Sequence, residues 1–306
     1  MKTKNKILVA LDLEEQSVIA LQYAEHFAEV LDYELEILTV IEDNSLFSKI
    51  FTSDEIIEKL NKEIKERVDI IIKPYINKVK INTIIAFGTP YEKIVEFAHK
   101  IQPAIIFMGK SELPNYKRPF IGSNSLHVIL ESDYPVITIR GDYNFDKYKK
   151  EHREILLPVD LKKDISDQIT AAIEFAKLLK TSLRLFSIEK SGSKGKETRM
   201  LTQLAQTKKA IIDAGVECNA ELIQNTEKDV YELICEKAEQ IKPALIVIMT
   251  RQESKLADLF MGSNARDIIN NSSVPVLSIE PWDNNEGSKV FSQYIDIFNV
   301  YKSKKK

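Results

Sequence analysis

Two short stretches of this 306-residue sequence have the composition of an anion cradle. Gly109 closes the apolar run Ile105-Ile106-Phe107-Met108, and Gly122-Ser123-Asn124-Ser125 stands at the head of a second apolar segment. A glycine has no Cβ, so backbone N–H groups can come close to phosphate oxygens and positive φ is open. A helix beginning at Gly122-Ser123 would offer the same oxygens its unpaired amides and the positive end of its dipole. The Ser123 and Ser125 hydroxyls can add hydrogen bonds. Each of these residues also has a plainer reading, the glycines as turns and the serines as helix caps. Asp12, which ends the apolar run Ile7–Leu11, either caps the following loop or meets a ligand.

Other chemistries are poorly represented. The four histidines, His26, His99, His127 and His152, are scattered without zinc-ligand spacing, and His26 and His99 fall on polar helix faces. There is no Gly-x-Ser-x-Gly elbow, P-loop Lys-Ser/Thr or Cys/His pairing, so the chain reads as a non-enzyme. Cys218 and Cys235 fit no redox or metal motif and read as small buried side chains. With 43 Lys+Arg against 46 Asp+Glu, the net charge of −3 lacks the basic excess of a nucleic-acid binder. The run Ile7–Leu11 is too short for a signal-peptide core or a membrane span. A cytoplasmic protein without a membrane partner is the expectation.

The elements around these residues occur twice. Lys6–Asp12 returns as Glu154–Asp160, Ile101–Ile106 as Ile241–Ile246, Gly122-Ser123-Asn124 as Gly262-Ser263-Asn264, and Tyr134–Ile137 as Val274–Leu277. Four blocks in one order at nearly constant offset mark a duplication. In the first copy, apolar runs predict strands at Ile7–Ala10, Leu35–Val40, Ile81–Ala86, Ala104–Met108 and Val136–Ile139. Between them, Val18, Leu21, Ala24, Ala28 and Leu31 form a helical stripe. Ser53–Val79 reads as a charged helix that Pro74 must kink or shorten. Thr89-Pro90-Tyr91-Glu92 reads as a capping box starting a helix that ends near Lys100, and Ser123–Leu130 as another helix.

The second copy predicts strands at Ile155–Val159, Leu183–Ile188, Val216–Ile223, Leu245–Met249 and Val276–Ile279, with a capping box at Thr226 and Asp229. Gly141–Arg153 is polar and aperiodic, a linker. The domains are therefore expected at 1–141 and 154–281, with the linker at 142–153 and a tail at 282–306. In that tail Val290, Phe291, Tyr294, Ile295, Phe298 and Val300 suit an amphipathic helix packed on its own chain, and its terminal lysines read as solvated. Alternating strands and helices imply two doubly wound α/β domains, each with a five-stranded parallel sheet. Such sheets bind ligands beyond the carboxyl ends of their strands, where strand order reverses. Asp12 and Gly109 lie there in one copy, and Asp160 and Thr250 in the other.

In these residues the sequence resembles the universal stress protein family, over nearly all of 6–140 and 154–280. Its nucleotide-binding members carry Gly-x-x-Gly, nine residues, then Gly-(Ser/Thr) after the fourth strand, and an Asp closing the first. Here Gly109-Lys110-Ser111-Glu112 is followed by nine residues and Gly122-Ser123-Asn124-Ser125, so Glu112 replaces the second glycine. The resemblance implies a tandem pair of adenine nucleotide alpha-hydrolase-like (HUP-type) domains and a stress-response regulator. It implies an adenine nucleotide, ATP or AMP with Mg²⁺ optional, held in the first domain by Asp12, Val40, Gly109, Gly122, Ser123, Asn124 and Ser125. Asp12 would lie near the nucleoside and Val40 would offer backbone groups to the base, although a core valine is the plainer reading of Val40.

Glu112 opposes a phosphate. Two like charges about 4 Å apart, at an effective dielectric near 20, repel by about 4 kcal/mol, close to a thousandfold in affinity. Lys110, Lys117 and Arg118 are the cations available to offset it. The second copy departs further: Met249-Thr250-Arg251-Gln252-Glu253 has neither glycine, eight residues separate Glu253 from Gly262, and Ala265 replaces the second serine. Asp160, Gly262, Ser263 and Asn264 remain of its site. By resemblance the last strands pair in an internal pseudo-dimer, with a homo-oligomer also open. Two alternatives stand beside the nucleotide binder: a nucleotide-free interaction scaffold, and a slow ATP hydrolase.

Overall fold

A computed structural model describes residues 5–42, 54–110, 122–144, 153–190, 194–224, 227–250 and 261–280, with the side chains of the two long helices that begin at 54 and 194 described from 57 and 197. Glu112, Lys117, Arg118, His152, Thr226 and the tail from Trp282 lie outside the described residues. The chain divides into two compact units, Met1–Lys147 and Tyr148–Lys306.

The first unit runs β1 (Lys6–Ala10), α1 (Glu15–Leu31), β2 (Glu34–Ile41), α2 (Asp54–Ile72), β3 (Ile81–Phe87), α3 (Pro90–Ile101), β4 (Ile105–Lys110), α4 (Ser123–Glu131) and β5 (Val136–Arg140). Its strands lie in the order β3-β2-β1-β4-β5, all parallel. The order reverses between β1 and β4, which makes that junction the switch point. Strands buried on both faces read as unbroken apolar runs, and Ile7, Leu8 and Val9 are fully buried. A buried carboxylate interrupts the apolar run of β2: Glu36 is ion-paired to Lys6 at 2.8 Å and accepts a hydrogen bond from Asn82 Nδ2 at 3.1 Å.

The apolar stripe of α1 packs on the sheet through Tyr23, Phe27 and Phe107, whose rings meet edge to face at 5.1–6.0 Å. Tyr143, inside the expected linker, is buried and joins them at 6.0 Å from Tyr23. Arg153 at the other end of that stretch is buried too and donates to Pro243 O at 3.2 Å. These ends are docked core-forming residues, which the polar composition between them concealed. α2 stops at Ile72, ahead of Pro74, as a residue preceding proline disfavours helix.

The second unit repeats the plan: β6 (Ile155–Val159), α5 (Ser166–Leu178), β7 (Leu183–Glu189), α6 (Lys194–Asp213), β8 (Cys218–Gln224), α7 (Val230–Ile241), β9 (Leu245–Met249), α8 (Ser263–Asn271) and β10 (Val276–Ile279). Its strand order is β10-β9-β6-β7-β8, again parallel, with the switch point between β6 and β9. Two helix starts differ from expectation. Thr89 is the N-cap of α3 with Pro90 at the first position, but its side chain makes no cap bond, so no capping box forms there. In the second unit the box is Asp229 with Glu232, whose carboxylate accepts from Asp229 N at 3.2 Å; the helix begins one turn later than a Thr226 start implies. Cys218 is buried, but Cys235 is only half-buried.

α5 is buried at almost every position from Gln168 to Ala176. Glu174 lies among them, and burial raises its carboxyl to about 7, with Lys177 pulling weakly the other way. A raised carboxyl pKa means the folded state holds the proton between the unfolded value and about 7, so stability falls as pH rises through that window. Glu174→Gln is expected to stabilise the protein at pH 8 by about 1 kcal/mol, discounted for its partial exposure, and to make no difference near pH 4. Urea midpoints at the two pH values check this.

Candidate functional site

The carboxyl ends of β1, β2 and β4 gather the expected site of the first unit. The β1–β2 ladder ends at Ala10–Leu38, after which only Leu11 N donates back to Leu38 O, at 2.9 Å. Backbone groups alternate edges along a strand, and Gly88 N donates to Ile41 O on the β3 side. The N–H and C=O of Val40 therefore point to the β1 side, past the point where β1 has ended. That pair, one donor and one acceptor on a half-buried residue, is what a heterocyclic base edge requires.

Asp12 is exposed and already engaged. One carboxylate oxygen accepts from Glu14 N at 3.0 Å and the other from Gln16 Nε2 at 3.4 Å. Leu13 beside it adopts φ 68°, a left-handed conformation that a leucine reaches only at a cost. Asp12 thus shapes a strained β1–α1 loop while keeping an exposed carboxylate at the rim.

Gly109 is neither a turn nor an open cup. It sits inside β4 opposite Ile139, and a Cβ built on it would lie 2.5 Å from Gln16 C and 2.6 Å from Ser17 N. The first turn of α1 lies directly on the strand at this point, and only glycine permits it. α4 also begins here: Ser125 is buried and its Oγ donates to Gly109 O at 3.5 Å. Gly122 is the N-cap with φ −58°, and no side chain caps the helix, so the serines are not caps. The first-turn amides of Ser123, Asn124 and Ser125 have no intrahelical partner, and Ser123 is exposed. Lys110, a loop cation on the sequence reading, is the last residue of β4, and its side chain is buried. Alternation turns it to the opposite sheet face from Gly109.

The second unit departs from this arrangement. Pairing of Ile246 with Val276 and Met249 with Ile279 repeats that of Ile106 with Val136 and Gly109 with Ile139. Met249, not Thr250, stands in the place of Gly109; Gln252 then matches Glu112, and the spacing to Gly262 is nine, without a deletion. A methionine cannot lie under a helix backbone, and α5 begins at Ser166, whereas the residue equivalent to Val18, three past the start of α1, is Ser166 itself. Thr250 replaces Lys110, is buried, and donates to Ile279 O at 3.1 Å.

The switch point itself is filled. Pro158 faces β9 without an N–H, and the β6–β9 ladder stops at Leu156–Ile246, two steps short of its counterpart. Gln168, 1 % exposed, donates through Nε2 to Pro158 O at 2.7 Å and to Val247 O at 3.0 Å. The equivalent position in α1 is Ala20. Across the rim, Lys162 pairs with buried Glu189 at 2.8 Å, a bond that raises the lysine pKa, and Lys190 pairs with Asp229 at 3.0 Å. Asp160 accepts from Lys162 N at 3.1 Å, holding this loop. Ala265 is buried, whereas Gly262, Ser263 and Asn264 are exposed; a Cβ on Gly262 would meet nothing within 4 Å. Neither packing nor its φ of −56° asks for glycine there.

Comparison with known proteins gives this geometry its kinship. The model of the universal stress protein family matches residues 4–140 and again 151–279. The chain belongs to the universal stress protein family. Universal stress protein MJ0577 of Methanocaldococcus jannaschii is 29% identical over 153 residues, 44% of this chain and 94% of that protein. Universal stress protein YxiE of Bacillus subtilis is 30% identical over 146 residues, 44% of this chain and 99% of that one. Among solved structures, a universal stress protein of Archaeoglobus fulgidus superimposes with a TM-score of 0.72 at 21% identity, covering 92% of this chain and 99% of that one. At that identity the match shows the fold. This tandem universal stress protein has two copies of the domain, and among its described residues no helix is long and apolar enough to cross a membrane. No His/Cys/Asp/Glu group that could hold a metal ion occurs among the same residues.

Proposed function

We propose that this universal stress protein is a stress-response regulator that binds an adenine nucleotide in its first unit, and that its second unit has become a structural partner. The unpaired N–H and C=O of Val40 beside a β1 that has already ended carry this reading. They supply a base-reading edge, Asp12 an exposed carboxylate for the nucleoside, and the uncapped first turn of α4 an anion site within reach of Gly109. In the second unit Met249 stands in the place of Gly109, Gln168 fills the switch point and the Lys162–Glu189 pair spans the rim beside it. ATP and AMP suit the site of the first unit, with Mg²⁺ optional. The unit acts as a binding module and not as a catalyst.

Glu112 favours a second reading, a nucleotide-free interaction scaffold, because its carboxylate stands in the phosphate-binding stretch. Titration calorimetry with ATP and AMP separates the two. The nucleotide reading expects binding by the parent, tighter binding by Glu112→Gly, a loss of tenfold or more in Asp12→Ala, and no change in Asp160→Ala. If neither the parent nor Glu112→Gly binds either nucleotide, the scaffold reading stands.

A further inference from the structure

One edge of the first unit's sheet is β3, which among the described residues pairs only with β2. Its sequence, Ile-Asn-Thr-Ile-Ile-Ala-Phe, contains no charge, proline or glycine, and every residue in it is at least partly exposed. Lys80 O accepts from Leu35 N and Gly88 N donates to Ile41 O, so the even-numbered residues address β2. Alternation turns the N–H and C=O of Ile81, Thr83, Ile85 and Phe87 outward. Open edges of this kind are normally blunted by charge, proline or a bulge, because they template pairing with another strand.

The matching strand of the second unit is blunted. In β8, Glu217 O accepts from Leu183 N, so Cys218, Ala220, Leu222 and Gln224 turn outward. An antiparallel self-pairing of that edge would set Glu221 against Glu221 of the other copy, and like charges opposite one another destabilise a ladder. Glu221 is held in place by Lys237 at 2.8 Å.

We propose that β3 is a homodimerisation edge, pairing antiparallel with β3 of a second copy of this chain. A two-fold axis at Ile84 sets Ile81 against Phe87 of the other copy and Thr83 against Ile85, each pair exchanging both N–H···O bonds. Ile84 meets Ile84 of the other copy across the axis. Asn82 faces Ala86 of the other copy, the other facing pairs are apolar or β-branched, and no like charges meet, which is why a second copy fits this edge. Phe87, 38 % exposed, gains cover in the same arrangement.

The test uses the full chain. Sedimentation equilibrium over a concentration series should show a mass rising toward twice 35.0 kDa. Thr83→Lys, at an exposed position that leaves the β2 ladder intact, should weaken the dimer by about tenfold or more, and Ala220→Lys on β8 should leave it unchanged. Amide exchange at Ile81, Thr83, Ile85 and Phe87 should slow with concentration. A mass of 35.0 kDa throughout the series overturns the proposal. So does a dimer that Thr83→Lys, with its melting temperature retained, leaves undiminished, or one whose β3 amides exchange no more slowly.

Discussion

Gly109→Val is expected to destabilise the ligand-free protein by about 3 kcal/mol or more, which for a unit of this size lowers its melting temperature by about 6–12 °C. The cause is backbone against side chain: the new Cβ would stand 2.5 Å from a carbonyl carbon of α1. No rotamer relieves that, because the offending atoms belong to a helix whose other end anchors Phe27 and Ala28 in the core. The helix must lift, and its aromatic contacts with Phe107 go with it. Calorimetry without nucleotide checks this. An unchanged melting temperature would mean that the glycine serves a ligand alone.

Gln168→Ala should cost about 2–4 kcal/mol. The substitution leaves Pro158 O and Val247 O facing each other without a donor, in a place sealed from water, and each unpaired buried acceptor costs about 1–3 kcal/mol. Gln168→Glu should be at least as damaging, since an acceptor would replace the donor that both carbonyls need. Denaturant midpoints of the two variants measure the effect. A cost below about 1 kcal/mol in Gln168→Ala would show that the strands close the gap by themselves.

The duplication and the strands were legible because strands buried on both faces have little choice of residue. Ile155–Val159, Leu245–Met249 and Val276–Ile279 fall where their apolar runs place them. The site was less so. The shared methionines Met108 and Met249 suggest a register one position off, while the nine-residue spacing before Gly262 sets Met249 against Gly109. Glu36, Lys162 with Glu189, and Gln168 follow no motif; they are polar residues whose partners lie far along the chain. Gln168 did leave one trace, since Pro158 sits in a central strand where proline removes a ladder bond. Something had to fill that gap. The role of Gly109 was hidden for a different reason: packing against a helix and cradling an anion both ask for the same missing Cβ.

The Pro158–Gln168 arrangement also decides what single substitutions in the second unit can do. Restoring a glycine at 249 would free space under α5 but leave the amide wedged between β6 and β9. Removing the amide first would strand two carbonyls, and recovering the strand's N–H first would crowd the amide. Emptying the switch point of the second unit therefore takes several substitutions together, since the proline, the amide and the two carbonyls answer one another.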